Sequence, residues 1–473
     1  MAGRQKLTAT QLAGLVALLL GTLVICNDFT ALNVVIPSIE TAFKVDVTTA
    51  QWVISGYALV FGVCIVTAGR LADMFGRRRI FFIGMTIFCS FSLIGGLAEN
   101  AWVLLGARAL MGIGGSMIWP SLIGMMYGLL PEERAALAGG LLMGVAGIGN
   151  GMGPMLGGFF ADYLSWRWIF FINVPVGIIA VLAIFWAVPK DGDDDTKEGI
   201  DYPGILALSL GLFLLMLLLD ISADFGWLSP MVISMFAVSI FLLSLFAFIE
   251  KRAGLDALVP EDVFSNKDFR FSNISVLLVS AIYFGTLLYL PQFMVKDLGF
   301  SALQAGAGLL PMLGMFALSS FVAAPLYDRL GPKLVISIGV LCLGVGVFIL
   351  SWLQAGTTFA SLVPGMLIVG IGTGLFYSSI TTAAITSIDP ARSSLASAII
   401  FMVQNAGGAV GLGLTTAIVV SAPSLADGID RAFFVNAIMA LVALVVSLLY
   451  VAGPLTRDNL LPWRKENAEE LAE

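Results

Sequence analysis

Long apolar runs, each ended by a cluster of charge, proline or turn residues, recur along the whole chain. Fourteen of them exceed about 18 residues, enough for an α-helix to cross the hydrocarbon core of a bilayer. They fall at 12–37, 50–68, 80–98, 102–127, 136–160, 167–188, 202–221, 229–249, 271–294, 302–326, 334–353, 361–386, 396–420 and 432–452. The pattern predicts an all-α membrane protein with fourteen transmembrane helices. The first run is too long for a signal-peptide core, and no small-residue cleavage site follows it, so it reads as a span.

Composition sharpens this. Of 473 residues, 59% are hydrophobic and 12% charged, and no histidine is present. Soluble chains are about half apolar and about a quarter charged, so this chain cannot cover itself in water. Without histidine there is no Ser-His-Asp triad, histidine metal site or histidine proton relay. Cys26, Cys64, Cys89 and Cys342 lie singly inside apolar runs, with neither zinc nor disulfide spacing, and read as small buried hydrophobes. No metal, cofactor or nucleic-acid partner is expected.

Lysine and arginine set the orientation. With the N-terminus in the cytoplasm, nineteen of the 24 fall on cytoplasmic segments and four on outer ones, with Arg108 inside a span. This bias predicts both termini inside and supports an even number of spans. The net charge of −7 adds little. Its acidic stretch, Asp191–Asp201, reads as a solvated cytoplasmic linker.

The chain also repeats itself. Gly69-Arg-Leu-Ala-Asp73-Met-Phe-Gly76-Arg77-Arg78-Arg79 has a weaker echo in Ala324-Pro-Leu-Tyr-Asp328-Arg329-Leu-Gly-Pro-Lys333, an offset of 255 between the aspartates. Gly112 and Gly114 recur as Gly370 and Gly372, Asn150 and Gly153 as Asn405 and Gly408, and Pro37 as Pro291. Parallel halves follow: a six-helix bundle at 1–189, a linker with two additional spans at 190–270, a second bundle at 271–453, and a cytoplasmic tail at 454–473. A cavity between the bundles would open alternately to each side.

These strings together resemble the major facilitator superfamily, and within it the fourteen-span drug/proton antiporters of multidrug efflux. Gly69–Arg79 resembles the family's loop between spans 2 and 3. Arg108 with Gly112 and Gly114 resembles its span-4 motif. Gly140, Gly149, Gly153-Pro154 and Gly157-Gly158 resemble the antiporter motif of span 5. Asn27–Pro37, Trp166–Gly177 and Val263–Lys267 resemble segments of the fourteen-span branch. The resemblance implies a monomeric exporter of the plasma membrane, the inner membrane of a bacterium, that uses the proton gradient and needs no cofactor.

Each motif has a physical reading beside a plainer one. Gly69 lets the chain leave span 2 tightly, and Gly76 belongs to the same gate string. Asp73 can cap or pair near span 3. Arg77 and Arg78 can engage it or neighbouring helix ends, latching helices at a cytoplasmic gate, with Asp328 and Arg329 as the weaker counterpart. Positive-inside topology alone also accounts for these charges. Gly149, Gly153, Pro154, Gly157 and Gly158 would make a bendable contact between the bundles, although glycine-rich spans pack closely in many membrane proteins. Ala409 stands where the repeat would need a second Pro154.

Two charges lie deep in spans. By helical rise, Asp28 sits roughly 5 Å and Arg108 roughly 8 Å outward of their span centres. Their repeat counterparts are Ile282 and Met366. Ionisable groups in lipid are costly and mark functional sites. Asp28 would therefore exchange a proton for a cationic substrate, with Arg108 beside it; a purely structural pair is the alternative. Burial favours a neutral carboxyl and a nearby guanidinium an ionised one. For the substrate cavity the candidates are Asn33, Tyr57, Trp119, Asn150, Tyr283, Gln292, Phe376, Tyr377 and Gln404, since aromatics with a carboxylate suit flat lipophilic cations. Asn27 and Thr30 beside Asp28 either line that cavity or bond between helices.

Met111 replaces the glutamine usual in the span-4 motif, which weakens a polar relay there; the second bundle's spans contain no acid, and because acids in late spans accompany broader cation handling in the family, the resemblance argues against dications. The reading is a proton-coupled antiporter exporting small lipophilic, cationic compounds by alternating access. An uptake symporter or a dedicated metabolite exporter is the alternative. No nucleophile–base cluster suggests an enzyme, no Gly-x-x-x-x-Gly-Lys-Ser/Thr suggests an ATP-driven pump, and no filter-like loop suggests a channel.

Overall fold

The computed structural model describes residues 7–190, 201–226, 229–253, 257–352 and 357–453; a few side chains inside these ranges, Asn33 among them, lie outside the described set. So do most of the acidic linker and the tail from 454 onward. Among the described residues there is no strand. The long helices are α1 (Ala9–Ala31), α2 (Val47–Phe75), α3 (Arg77–Gly96), α4 (Ala101–Leu129), α5 (Ala135–Tyr163), α6 (Trp168–Ala187) and α7 (Tyr202–Phe225). They continue as α8 (Pro230–Ala253), α9 (Lys267–Lys296), α10 (Leu310–Leu330), α11 (Pro332–Leu350), α12 (Phe359–Thr386), α13 (Ser393–Val420) and α14 (Leu425–Tyr450). Among the described residues thirteen helices are long and apolar enough to cross a membrane, so the chain is a multi-pass membrane protein. The predicted count of fourteen exceeds these by one. The remaining helix, α7, contributes an apolar described stretch over Tyr202–Leu218.

Polar residues appear where helices begin. Thr8 and Gln11 form a capping box on α1, Asn100 accepts from Val103 N at 3.0 Å on α4, and Asn266 accepts from Phe269 N at 3.0 Å on α9. Tight reversals use left-handed glycines, Gly76 (φ 96°) between α2 and α3 and Gly331 (φ 80°) between α10 and α11.

The duplication is visible in which helices touch. In the first half α1 packs on α5 and α6, α2 on α4, and α3 on α4 and α6. In the second half α9 packs on α13 and α14, α10 on α12, and α11 on α12 and α14. Between the halves α2 meets α13 and α5 meets α10, while α4 meets α13 and α5 meets α12. The additional helices α7 and α8 pair with each other, and α7 lies against α2 and α13.

Glycine contacts fix the repeat register. A Cβ on Gly112 would meet Tyr57 O at 2.8 Å, and one on Gly370 would collide with Met312 O. A Cβ on Gly149 would meet Leu23 O at 3.4 Å, and one on Gly407 would collide with Leu277 O. Gly153 approaches Asn27 O as Gly411 approaches Ala281 O. Gly153 therefore corresponds to Gly411, and Pro154 to Leu412. This corrects the pairing of Asn150 and Gly153 with Asn405 and Gly408, which arises because a glycine-rich helix offers several registers of similar composition. Gly69 is also reassigned. It lies inside α2, and a Cβ there would meet Ala398 Cβ of α13 at 2.6 Å. It permits a close helix approach, while the turn falls to Gly76.

Candidate functional site

The two deep charges meet. Arg108 of α4 donates from Nη1 to Asp28 Oδ2 of α1 at 2.7 Å, and both side chains are buried. Arg108 Nε donates to Val53 O at 2.9 Å, and its guanidinium lies 4.1 Å from the Tyr57 ring centroid. A charge removed from water needs several partners, and this one has a carboxylate, a carbonyl and an aromatic face. The other carboxylate oxygen, Asp28 Oδ1, accepts from Asn173 Nδ2 of α6 at 2.8 Å. Asn173 Nδ2 also lies 3.2 Å from Ser92 Oγ of α3, whose hydroxyl donates to Phe170 O at 2.8 Å. Helices α1, α2, α3, α4 and α6 thus converge on one carboxylate. Asp28, Arg108 and Tyr57 are expected from the sequence; Asn173 and Ser92 are not. Asn173 lies inside the Trp166–Gly177 string, whereas nothing in the sequence around Ser92 marks it.

The second cluster closes the face that the arginines make basic. Arg77 Nε pairs with Asp73 Oδ1 at 3.0 Å. The same guanidinium donates to Gly124 O at 3.0 Å, Pro390 O at 2.7 Å and Ala391 O at 3.1 Å. Asp73 Oδ2 accepts from Leu395 N at 2.8 Å and Oδ1 from Ser394 N at 3.3 Å. A carboxylate of α2 thereby caps the first turn of α13 in the other bundle, where the helix dipole favours negative charge. Tyr127 and Thr382 add a hydroxyl–hydroxyl bond across the interface at 3.0 Å.

Arg78 acts elsewhere. It donates to Val188 O and Phe185 O, both at 2.8 Å, tying α3 to the end of α6 inside one bundle. Lys333 does the same in the second half, donating to Leu448 O at 2.7 Å. Asp328 and Arg329 are exposed at the end of α10, and Pro332 stands where Arg77 stands in the first half.

The glycine helix α5 has two working faces. Gly149, Gly153 and Gly157 face α1 of the same bundle, whereas Gly140, Gly144 and Gly147 face α10 and Gly139 faces α12 of the other. Gly158 approaches Leu303 and Pro154 lies near Gly306, both in the second half. The expected contact between bundles thus belongs to only part of the set. The rest is close packing onto α1, where small residues let backbones approach. Thr30 Oγ1 donates to Asn150 O at 3.0 Å, so Thr30 bonds between helices.

Of the cavity candidates, Trp119 lies 4.5 Å by ring centroid from Phe401 of α13, joining the bundles. Tyr283, Phe316 and Tyr377 form an aromatic cluster in the second bundle, with Ser280 and Tyr377 hydroxyls 2.9 Å apart. Gln404 is half-buried and bonds toward Tyr377; Gln292 and Asn150 are half-buried. Phe376 is fully buried, and its backbone lies against Gly339 of α11, inside the second bundle. Asn33 falls outside the described side chains. Asn27 Oδ1, Tyr57 Oη and Trp119 Nε1 are buried with no partner among the described residues. No group of metal-ligating side chains occurs among the described residues.

Comparison with known proteins gives the family and the fold. The Major Facilitator Superfamily model matches residues 18–412, with a further match over 272–471. The puromycin resistance protein pur8 of Streptomyces alboniger is 31% identical over 97% of this chain and 92% of its own. The cephamycin export protein CmcT of Amycolatopsis lactamdurans is 29% identical over 87% and 85%. The crystal structure of the human organic anion transporter MFSD10 (TETRAN) shares the fold, with a TM-score of 0.69 and 14% identity over 92% of this chain and 99% of that one.

Proposed function

From its membership of the Major Facilitator Superfamily, which makes the chain a membrane transporter and not an enzyme, we propose that it is a proton-coupled antiporter. It exports small lipophilic, cationic compounds across the plasma membrane by alternating access. It works as a monomer with both termini in the cytoplasm and fourteen spans, α7 included, and it needs no cofactor. The two bundles are the moving bodies, and the Asp73–Arg77 cluster is the cytoplasmic gate.

The observation that carries this reading is the buried Asp28–Arg108 pair in the first bundle. It is an ionisable carboxylate deep in a helix that contacts the glycine face of α5. Proton binding at Asp28 loosens its hold on Arg108, and the carboxylate re-forms when the proton leaves. The aromatic groups at the bundle contact, Trp119, Phe401 and the Tyr283–Tyr377 cluster, favour flat lipophilic molecules, and their ring faces attract cations. Proton-driven efflux of ethidium from proteoliposomes tests the assignment. Asp28→Asn should abolish acceleration by an imposed pH gradient; wild-type coupling in that variant would sink it.

A second reading is a dedicated exporter of one metabolite. The names of relatives favour it, since they include export of cephamycin and resistance to puromycin. Competition among unrelated substrates separates the two. Accumulation inside right-side-out vesicles, in place of loss, would instead mean an uptake symporter.

A further inference from the structure

Asp28 must exist both with and without its proton if it couples transport, and its neighbours limit how. Arg108 is permanently charged and can only donate. It suits the carboxylate, and it offers nothing to an acid O–H. The other groups facing Asp28 are Tyr57 from α2 and Asn173 from α6; Cys26, two residues before it on α1, lies against Gly149 of α5, which also presents Gly153 and Gly157 to α1, and Cys89 of α3 donates to Asn173 O at 3.7 Å. Arg108 is the one charged side chain among them.

We infer that Asn173 is the positioning residue that accommodates both protonation states of Asp28. An amide carries a donor and an acceptor on one pivot. With Asp28 ionised, Nδ2 donates to Oδ1, as observed at 2.8 Å. When a proton from the outer solution binds Oδ1, a half-turn of the amide brings its oxygen into the same place to accept the new O–H. Ser92 then swings its hydroxyl from Phe170 O to that amide oxygen, 3.2 Å being the present Ser92–Asn173 separation. Only one O–H bond forms, and it breaks again when the proton departs inward.

The second bundle holds a matched control. In Phe433-Phe-Val-Asn436, the repeat of Phe170-Phe-Ile-Asn173, the asparagine stays buried. Ile282, Met366 and Val347 there replace Asp28, Arg108 and Ser92, and Asn436 Nδ2 has no partner among the described residues. The amide is shared by both halves, and the carboxylate that uses it occurs in one.

This inference rests on the proton-coupled reading, so the test separates the two. Ethidium efflux from proteoliposomes is measured against pH for Asn173→Leu, Asn173→Ser, Asn436→Leu and Asp28→Asn. Asn173→Leu loses both bonds, and because the charge-assisted bond to the carboxylate is about twice as strong as the neutral one to the acid, its midpoint should move to higher pH by about one unit, a tenfold change in proton affinity; Asn173→Ser, which keeps a donor and an acceptor on a shorter side chain, should move it less. Asn436→Leu should leave it in place. A midpoint that moves no further in the folded Asn173 variant than in Asn436→Leu overturns the inference. If Asp28→Asn keeps the wild-type profile, the coupling reading itself fails.

A separate observation concerns the additional helices. Residues 257–260, in the connection from α8 to α9, are buried without regular structure, and Val263 is fully buried. Buried backbone donors need partners. Glu250 supplies them, accepting from Leu258 N at 3.1 Å and Val259 N at 3.2 Å. Arg70 of α2 and Asp201 at the start of α7 lie close enough to feel its charge. On either side of Val263 the strap joins the second bundle: Asp262 pairs with Arg392, and Asn266 Nδ2 donates to Ser387 O at 2.7 Å. The short turn Pro390–Arg392 is therefore held by Arg77 on one side and by the strap on the other.

We propose that this strap is a second bolt on the cytoplasmic gate, released together with the Asp73–Arg77 latch. The test uses a chain with its four cysteines replaced by alanine and Ser394→Cys as a reporter at the bundle contact. Asp262→Ala should raise labelling of that cysteine by a thiol reagent supplied from the cytoplasmic side several-fold. In a parallel chain lacking the reporter, an Asp262→Cys/Arg392→Cys disulfide should stop ethidium efflux until reduced. Unchanged labelling, or efflux continuing in the fully cross-linked protein, overturns the proposal. If the reduced double variant does not transport, the labelling result decides.

Discussion

The two bundles share a backbone plan and differ in what fills it. Gly112 seats α4 on Tyr57 as Gly370 seats α12 on Met312. Yet the space that holds Asp28, Arg108 and Ser92 in one half holds Ile282, Met366 and Val347 in the other. The polar set is costly to bury and satisfied by mutual bonds, whereas the apolar set needs only shape. A duplicated scaffold can therefore confine its charge chemistry to one copy while the other supplies a matching wall.

The comparison can be broken most sharply at Arg108. Arg108→Leu leaves a buried carboxylate without its cation and should destabilise the protein by about 3–5 kcal/mol. Met366→Leu, at the equivalent place, should stay below about 1.5 kcal/mol. Thermal melting of the purified protein reads both, and equal shifts would erase the distinction. Next in size is the reverse graft. Ile282→Asp alone should lose on the order of 3 kcal/mol, because Met366 cannot pair with it. Adding Met366→Arg should recover about 1–3 kcal/mol in a double-mutant cycle; no recovery would mean that the second bundle cannot hold a pair.

The latch gives a smaller contrast. Arg77→Ala removes one ion pair and three charged bonds to carbonyls, and should shift the equilibrium toward an open basic face by about 2 kcal/mol. Lys333→Ala removes one bond inside a single bundle, and cysteine accessibility at the interface should not change. Smallest is a pair of contacts related by the repeat. Gly69 faces Ala398, and Gly140 faces Ala324 at 3.1 Å. Gly69→Ala, with its opposing methyl at 2.6 Å, should slow efflux several-fold, and Gly140→Ala less. The reverse order in an efflux assay would show that the α5 contact is the tighter one.

Much of this was legible in the chain. Hydrophobic run lengths announce the helices because lipid leaves the backbone no other partner. Asp28 and Arg108 stand out because ionisable residues inside spans are rare. Asp73 and Arg77 could be placed at a gate, but their partners across the interface are backbone groups near residues 390–395, which no side-chain pattern advertises. Asn173 is ordinary among polar residues until a carboxylate is found beside it. The register of α5 against α13 failed for a related reason: many small residues in one helix fit several alignments, and only the carbonyl under each glycine chooses one.

The latch has a consequence for how such a sequence can drift. Arg77 and Asp73 engage the far bundle through the carbonyls of Pro390 and Ala391 and the amides of Ser394 and Leu395. Every residue type but proline carries both groups. The far side of the lock is thus written in the path of the chain and not in its letters. The exposed side chain at 391 can therefore change without touching the lock, and the buried ones at 394 and 395 answer to packing alone, while the same aspartate and arginine keep turning the same key.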